Sequence, residues 1–446
     1  VLWLAFLAPF FYASYGFANW LAAQRDDVGS IVFSWERSIP FLAWTIVPYW
    51  LVDLLYGLSL LLCATRRQLD THAARLLVTQ LLAVSAFLVF PLRCTFQRGD
   101  VQGSFGWMFD VLMSFDQPYN QAPSLHIALL VVLLEPYLRA VPRAWHTLVY
   151  AVALLIGVSV LTTWQHHFVD IPTGFWLGCF AVWLFPTDAP PPLRRATLTG
   201  SRKRRRLAAG YAAGSLGIGL LATSAGGTWL WLLWAAGALA LVALIYLVLD
   251  AEAFEKRADG SMPGAVRCLL GPYLLAAWLN SRWWTRRLPA ASPVSAGILL
   301  GRLPGEADLR RHGVVAIVDL CAELPCPTPG VRHTVVPLLD LVPPGLAQLE
   351  RASAAIDDAR QIGQVLVCCA LGFARSALAV AAWLLRTGAA NSPAEAVAQV
   401  QRARPSVVLG RDEIDLLSRW QEHRLPASQF SAADGQPPSV GAGREH

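Results

Sequence analysis

Long apolar runs constrain this chain of 446 residues more than any other feature. A helix needs about 20 apolar residues to cross the hydrocarbon core of a bilayer. Eight runs of roughly that length occur, near residues 1–22, 39–63, 75–93, 125–142, 146–164, 171–186, 207–225 and 228–250. With 55% hydrophobic residues, 15% charged residues and a mean hydropathy of +0.45, the composition excludes an ordinary soluble protein. The sequence predicts a polytopic α-helical membrane bundle, with six spans followed by a two-span hairpin.

Changes in composition divide the chain into segments. A Trp- and Arg-rich stretch near 263–288 has the composition of an amphipathic helix in the membrane interface, with a ninth, short span as the alternative. Beyond it, short β-branched runs alternate with helical patterns, which predicts a soluble α/β domain. The Ser-, Gly-, Ala- and Pro-rich end is typical of disorder. The predicted segments are a six-span core at 1–186, a basic connector at 187–206, a hairpin at 207–250, an interfacial linker at 251–297, an α/β domain at 298–424 and a disordered tail at 425–446.

Arginine placement predicts the orientation. The net charge of +6 comes from 36 basic and 30 acidic residues, and Lys203 and Lys256 are the lysines. Short loops rich in basic residues stay in the cytoplasm. In this chain the basic loops lie between predicted spans two and three, between spans four and five, and after span six. Their basic residues are Arg66, Arg67, Arg75, Arg139, Arg143 and those of 194–206. We therefore expect a bacterial inner-membrane protein with a cytoplasmic α/β domain and periplasmic loops near 94–124 and 165–170. The sequence has no extended run of basic residues with interleaved aromatic residues, so we do not expect nucleic-acid binding.

Two histidine motifs lie at the predicted outer ends of the spans. His126 stands in QAPSLH and His166 in QHHFVDIPTG, 166 − 126 = 40 residues later, which is one helical hairpin. Both imidazoles can therefore reach one membrane surface. Asp170, four residues after His166, would share its helix face and fix its tautomer. This arrangement suits phosphoryl transfer, with His166 as nucleophile and His126 as acid.

Candidate phosphate ligands flank the histidines. Arg93 and Arg98 supply positive charge, and backbone amides near Ser124, at a predicted helix start, would add anion stabilisation. Two other interpretations remain for this cluster. The histidines could anchor helix ends, or His166, His167 and Asp170 could hold a metal ion.

The motifs PSLH (123–126) and HHFVD (166–170) on a six-span core resemble the type 2 phosphatidic acid phosphatase (PAP2) superfamily, especially its branch of inositol-phosphorylceramide synthase-like enzymes. The resemblance covers roughly 30–186. It implies a phosphohistidine on His166 oriented by Asp170, protonation of the leaving group by His126, and no metal. Leu125 replaces the glycine of PSGH, Val160 replaces the arginine of the third motif, and the first motif has no lysine. Lipid hydrolysis, lipid phosphotransfer and a non-catalytic transporter or scaffold remain open.

A cysteine motif occupies the predicted α/β domain. Cys369 ends the predicted strand QVLVC, and Gly372, Arg375 and Ser376 lead into a helix. Such a turn lets backbone amides surround a phosphate and favours the thiolate form of the cysteine. Arg375 can bind two phosphate oxygens, Ser376 can hydrogen-bond the sulfur, and Asp340 in PLLDLVPP is the candidate acid. A Rossmann-like turn with a buried cysteine is the alternative.

The sequence CALGFARS (369–376) resembles the HCxxGxxRS motif of dual-specificity protein phosphatases of the cysteine-phosphatase superfamily, over about 298–424. The resemblance implies a covalent thiophosphate on Cys369. Cys368 stands in place of the usual histidine. Because Arg375 is the sole cation of the loop, the motif favours a simple monoester over a multiply phosphorylated inositol lipid.

Together the two motifs predict a fused membrane enzyme that acts on phospholipid headgroups without a metal or other cofactor. A PAP2-like site would face the periplasm and a cysteine phosphatase the cytoplasm. The alternatives are a headgroup synthase at the membrane site, or a protein phosphatase tethered by a degenerate membrane core. The sequence does not predict an oligomeric state.

Overall fold

The computed structural model describes residues 2–424, so the tail predicted at 425–446 lies outside the described residues. The chain forms two compact units. The helical unit comprises residues up to Thr199, Ala208–Leu249 and Gly264–Gly271. The sheet unit comprises Gly200–Leu207, Asp250–Pro263 and the described chain from Pro272 onward.

The helical unit contains most of the predicted spans as helices, although several are short. Four segments among the described residues are long and apolar enough to cross a membrane, namely Arg66–Val89, Arg143–Thr162, Arg202–Ala225 and Gly227–Leu249. The last two correspond to the predicted hairpin. In contrast, the helices Ile46–Ser59, Leu125–Ala140 and Asp170–Leu184 have only 14, 16 and 15 residues, so the six-span core stays a prediction. The helices are α1 Leu2–Ala23, α2 Ile46–Ser59, α3 Arg66–Val89, α4 Gly103–Met113, α5 Leu125–Ala140, α6 His146–Thr162, α7 Asp170–Leu184, α8 Arg202–Ala225, α9 Leu232–Leu244 and α10 Gly264–Leu269.

Close packing of α5 against α7 holds the ends of these two helices together. Gly174 and Gly178 on α7 are four residues apart and face α5. A Cβ atom at Gly174 would lie 2.3 Å from the carbonyl oxygen of Ser124, and one at Gly178 would lie 2.6 Å from that of Ala128. Small residues at this spacing allow two helix backbones to approach closely. The Ser124 amide also donates to the carbonyl oxygen of Asp170 at 3.1 Å, which joins the starts of the two helices.

The sheet unit is built on a five-stranded mixed sheet in the order β1-β2-β5-β3-β4. β1 runs antiparallel to β2, and the other neighbours are parallel. This arrangement confirms the predicted α/β architecture. The strands are β1 Ala291–Ser295, β2 Ile298–Arg302, β3 Ala316–Cys321, β4 Arg332–Leu338 and β5 Val365–Cys369, and the helices are α11 Gly271–Thr285, α12 Glu306–Arg311, α13 Leu346–Arg360, α14 Arg375–Arg386, α15 Pro393–Ala403 and α16 Arg411–Arg424.

Both faces of the sheet are buried. Successive residues of a strand point to opposite faces, so adjacent cysteines of β5 enter different cores. Cys369 belongs to the core formed with α13 to α16. Cys368 belongs to the core on the other face, where Ala277 of α11 packs. The central strand β5 therefore ends between two apolar layers.

The boundary predicted at residue 298 differs from the one observed. β1 pairs with β2 within the segment predicted as an interfacial linker, and Lys256 from the same segment is fully buried against Asp319 of β3. β1 has the sequence ASPVS, and a central proline is a poor strand signal that only an edge strand tolerates. Much of 251–297 is thus part of the sheet unit.

Candidate active sites

The turn between β5 and α14 curls around the sulfur of Cys369. The Gly372 amide donates a hydrogen bond to Cys369 Sγ at 3.2 Å, and the Ser376 hydroxyl donates a second one at 3.2 Å. Gly372 has φ +75°, and a Cβ there would lie 2.5 Å from the carbonyl carbon of Gly301. Only glycine fits that position. The two donors stabilise negative charge on sulfur, which suits an attacking thiolate.

Arg375 begins α14 and is held by several acceptors. Its Nη1 and Nη2 atoms lie 2.7 and 2.6 Å from the two carboxylate oxygens of Glu323, and Nη1 also donates to the Leu338 carbonyl at 2.9 Å. Burial opposes the positive charge, but Glu323 and Asp340 raise the pKa of Arg375 well above its ordinary value. The guanidinium is thereby fixed as a cation at the end of the cysteine loop.

Glu323 is a candidate site residue that the motif analysis missed. It is buried just beyond β3, and Arg375 holds its pKa below the ordinary value although burial opposes this. Ligand-binding residues of parallel sheets gather at the carboxyl ends of the strands. An acidic residue directly after the buried run of β3 was therefore a signal that sequence analysis could have used.

Asp340 lies beside the same arginine. Its Oδ1 atom is 3.0 Å from Arg375 Nη2. Burial raises the pKa of Asp340, and Glu323 adds to this shift while Arg375 opposes it. A carboxyl group that keeps its proton to higher pH is suited to protonate a leaving oxygen.

A cleft of about 950 Å³, open to solvent, has Cys369, Asp340 and Arg375 in its lining. Much of the remaining wall is apolar. Leu341 is 59% exposed and Val408 70% exposed, although both are hydrophobic. The apolar wall residues include Leu341, Val342, Pro343, Phe373, Leu378 and Val408. The cleft therefore offers an apolar surface next to the cysteine loop.

A buried charge cluster lies behind this loop. Lys256 Nζ is 2.5 Å from Asp319 Oδ2, and His333 Nε2 is 3.2 Å from the same oxygen. Burial favours the neutral acid, but Lys256 and His333 hold the pKa of Asp319 below its ordinary value. Asp319 is the register partner of Cys368, and burial followed by the Asp319 charge raises the Cys368 pKa well above the ordinary value. Ionisation of this core thiol is therefore disfavoured.

The helical unit contains a cluster of His126, His166 and Asp170, which we call the histidine cluster. His166 Nδ1 lies 3.0 Å from Asp170 Oδ2, and both residues are buried. His126 stacks on the ring of Tyr49 with a centroid separation of 4.2 Å. His126 and His166 line one cavity, which has about 520 Å³ of space. The structure thus brings the two predicted imidazoles to one place.

The candidate phosphate ligands differ in position. Arg98 lines a cavity together with His166, and its guanidinium carbon lies 4.6 Å from the centre of the Phe109 ring. Arg93 is exposed and lies outside the lining of this cavity and of the one shared by the histidines. Ser124 caps α5, with its hydroxyl accepting from the Ile127 amide at 3.3 Å.

His167 has both ring nitrogens engaged. Its Nδ1 lies 3.1 Å from Glu36 Oε2, and its Nε2 accepts from the Thr95 amide at 3.0 Å. Glu36 also accepts from the Phe168 amide at 2.9 Å. Sequence analysis missed Glu36, which is 130 or more residues from His167 and Phe168. Within residues 2–424, no group of three or more His, Cys, Asp or Glu is placed to hold a metal ion.

Comparison with known proteins finds no matching family and no matching curated sequence. Solved structures similar to part of the chain include three phosphatases. Human DUSP28 is 31% identical, over 30% of this chain and 95% of that one, with a TM-score of 0.28. A mouse putative dual specificity phosphatase complexed with zinc tungstate is 28% identical. The match covers 30% of this chain and 88% of that chain, with a TM-score of 0.28. PTPMT1 in complex with PI(5)P is 21% identical. The match covers 32% of this chain and 99% of that chain, with a TM-score of 0.28.

Proposed function

We propose that the chain is a membrane-bound phosphoric monoester hydrolase in which Cys369 attacks the phosphate of a phospholipid headgroup. The observation that carries this proposal is the pair of hydrogen bonds that Gly372 and Ser376 donate to the sulfur, at a strand-to-helix turn that ends in a fixed arginine. This geometry supplies a stabilised nucleophile and an anion-binding turn in one loop.

The reaction has two steps. The Cys369 thiolate attacks phosphorus, the bond from phosphorus to the substrate oxygen breaks, and Asp340 gives its proton to that oxygen, releasing the alcohol. Water then attacks the thiophosphate, Asp340 takes one proton from the water, and the sulfur–phosphorus bond breaks to give inorganic phosphate and the thiolate. Arg375 and the loop amides stabilise the phosphoryl oxygens in both steps. Glu323 keeps the arginine in position.

A lipid substrate is favoured by the cleft. Its exposed wall residues, Leu341 and Val408, provide contact for an apolar portion of the substrate next to the phosphate. The same lining contains two acidic residues, Asp340 and Glu413, and two basic ones, Arg375 and Lys203, so its charge does not favour a substrate with several phosphates. A phospholipid monoester satisfies both conditions. Four helices apolar enough to span a membrane would keep the enzyme among such substrates.

We propose a second reaction, a PAP2-like phosphoryl transfer, at the histidine cluster. It is supported by the His166–Asp170 hydrogen bond and by the cavity that His126 shares with His166. In this reaction His166 Nε2 attacks phosphorus, His126 protonates the leaving oxygen, and the phosphohistidine passes its phosphoryl group to water or to an acceptor alcohol. We place this site on the periplasmic face of a bacterial inner membrane and the cysteine site in the cytoplasm.

Trapping experiments on the full chain in liposomes test both proposals. With lipid phosphate labelled in its headgroup, quenching should leave acid-labile phosphate on His166 and a thiophosphate on Cys369. Cys369→Ser should remove only the second, and His166→Ala only the first. Label moving to an added alcohol identifies a transferase. Comparable turnover of a soluble phosphotyrosine peptide together with indifference to phospholipid would contradict the lipid assignment.

A further inference from the structure

Helix α11 (Gly271–Thr285) has one face that is buried and another that is exposed although it consists largely of apolar side chains. Its inner face consists of Leu274, Ala277, Ser281 and Thr285, which follow a helical spacing and are buried or packed against the sheet. Its outer face is strongly apolar. The exposed large hydrophobic members are Leu275 at 58%, Trp278 at 48%, Leu279 at 53%, Trp283 at 65% and Trp284 at 62%. Ala276 and Asn280 are exposed as well. A helix that places two Leu and three Trp side chains on its exposed face, and mostly small or hydroxyl side chains on its inner face, is suited to an apolar environment.

Arginines accompany this outer face near the end of the helix. The guanidinium carbon of Arg286 lies 3.7 Å from the centre of the Trp283 ring, and that of Arg282 lies 5.9 Å from the centre of the Trp278 ring. Arg287 follows directly. Tryptophan with arginine is the composition found where a helix leaves the hydrocarbon and meets headgroups, and the positive charge is complementary to anionic lipids.

The start of α11 is joined to a segment that can span a membrane. Gly271 lies against the ring of Trp234, where an added Cβ would be 2.7 Å from a ring carbon. Trp234 belongs to the apolar segment Gly227–Leu249, and its Nε1 donates to the Cys268 carbonyl at 2.7 Å. Gly271, the first residue of α11, therefore lies beside a candidate span.

The inner face of α11 contacts the cysteine loop directly. The buried Ser281 hydroxyl donates to the carbonyl oxygen of Ala370 at 2.5 Å. Ala370 is the residue after Cys369, so this hydrogen bond fixes the peptide at the start of the loop whose amides surround the sulfur. Arg282 adds a bond from its Nη1 to the Leu303 carbonyl at 3.3 Å.

We propose that α11 is a lipid-embedded helix that anchors the Cys369 loop at the surface of an anionic bilayer, with Ser281 as the positioning residue. The apolar outer face contacts acyl chains, and Arg282, Arg286 and Arg287 contact anionic headgroups. The loop is thus held close to the surface from which a lipid phosphate is taken. The assignment of α11 to lipid is independent of the chemistry, whereas the role of Ser281 rests on the proposed function of Cys369.

The lipid contact is tested by photolabelling. The full chain is reconstituted in liposomes of phosphatidylcholine and phosphatidylglycerol that contain a phosphatidylcholine with a photoreactive acyl chain. Mass spectrometry should find adducts on 275–284 and none on α16, which belongs to the same unit. Leu279→Ser should reduce the adducts. Adducts on α8 and α9 without any on α11, or a crosslink between two copies through Trp283, would overturn the lipid assignment.

The role of Ser281 is tested with p-nitrophenyl phosphate, a soluble substrate. Ser281→Ala should lower kcat/KM about fivefold, which is the loss expected for one hydrogen bond. Ser281→Thr, which keeps the hydroxyl, should restore it. The matched control is Ser353→Ala, because Ser353 is equally buried but donates to Glu350 within α13. An unchanged Ser281→Ala enzyme would refute the anchoring role. A wild type without activity on either p-nitrophenyl phosphate or phospholipid monoesters would refute the proposed function, while the adducts would still assign α11 to lipid.

Discussion

Arg375 and Glu323 form a buried two-point ion pair, with nitrogen–oxygen distances of 2.6 and 2.7 Å. The pair joins the start of α14 to the chain just beyond β3. In the proposed reaction Arg375 binds phosphate, and Glu323 holds its guanidinium group in position for this. Planar guanidinium and carboxylate groups suit this role because two parallel hydrogen bonds fix both position and rotation.

Glu323→Gln should weaken this orientation and lower kcat/KM for a phosphate monoester by about tenfold or more. Hydrogen bonds to charged groups contribute about 1.5–3 kcal/mol, and the amide keeps only part of the interaction. Steady-state kinetics on the reconstituted chain measures the change. Glu306→Gln is the control, since Glu306 is largely exposed on α12 and should have no effect. Equal kinetics for the two variants would contradict the orienting role.

Cys369→Ser should abolish monoester hydrolysis, because a serine hydroxyl is not ionised at neutral pH. Cys368→Ser should retain most of the activity, since that thiol belongs to the core on the opposite face of β5. Rates are measured on one preparation of each variant, with the folded fraction determined by circular dichroism. Loss of activity in Cys368→Ser with an intact fold would mean that the two neighbouring thiols act together.

The pH profile should report Asp340. Its raised pKa keeps the carboxyl protonated to higher pH than an ordinary aspartate, so cleavage should slow as pH rises through that pKa. Asp340→Asn should remove this alkaline limb and lower kcat by about 10²–10⁴-fold for an alkyl phosphate. The loss should be far smaller for p-nitrophenyl phosphate, whose leaving group needs little protonation. The same loss for both substrates would exclude Asp340 as the acid.

Lys256→Met should destabilise the sheet unit by about 3–5 kcal/mol, because it leaves the Asp319 carboxylate buried without its partner. Adding Asp319→Asn should recover part of the loss. The folded pKa of Asp319 is lowered, so its contribution to stability is present above the unfolded pKa and is lost as pH falls through the folded value. Pulse proteolysis at neutral and acidic pH measures these differences. A single variant as stable as the wild type would show that the pair contributes nothing.

Local motifs were predictable from sequence, whereas distant partners were not. Cys369, Gly372 and Arg375 lie within seven residues, and the strand and helix on either side follow from β-branched and amphipathic patterns. One of the helical patterns beyond residue 298, LAQLERASAAIDDAR, forms the helix Leu346–Arg360. Glu323 is 52 residues from Arg375, and its role depends on β3 lying beside β5 in the sheet. No spacing rule links such positions.

Helix ends and segment boundaries were less predictable for a different reason. Hydropathy counts apolar residues whether or not they are helical, so the runs at 39–63 and 125–142 extend beyond Ile46–Ser59 and Leu125–Ala140. The composition of 263–288 indicates an interfacial helix, but it carries no sign that Ser281 would contact the cysteine loop. That contact requires the inner face of α11 to pack on the sheet.

Close approach of α5 and α7 should be essential for the histidine cluster, and Gly174→Ala tests this requirement. The added methyl group would lie 2.3 Å from the Ser124 carbonyl oxygen, which is backbone and cannot turn aside, so α7 must move relative to α5. The starts of these helices contain His126 and Asp170, and we expect formation of phosphohistidine at His166 to fall at least tenfold while turnover at Cys369 is unchanged. Gly157→Ala is the matched control, because its nearest neighbours are side-chain carbons at 3.9 Å. Equal labelling of His166 in both variants would mean that helix spacing does not control the site.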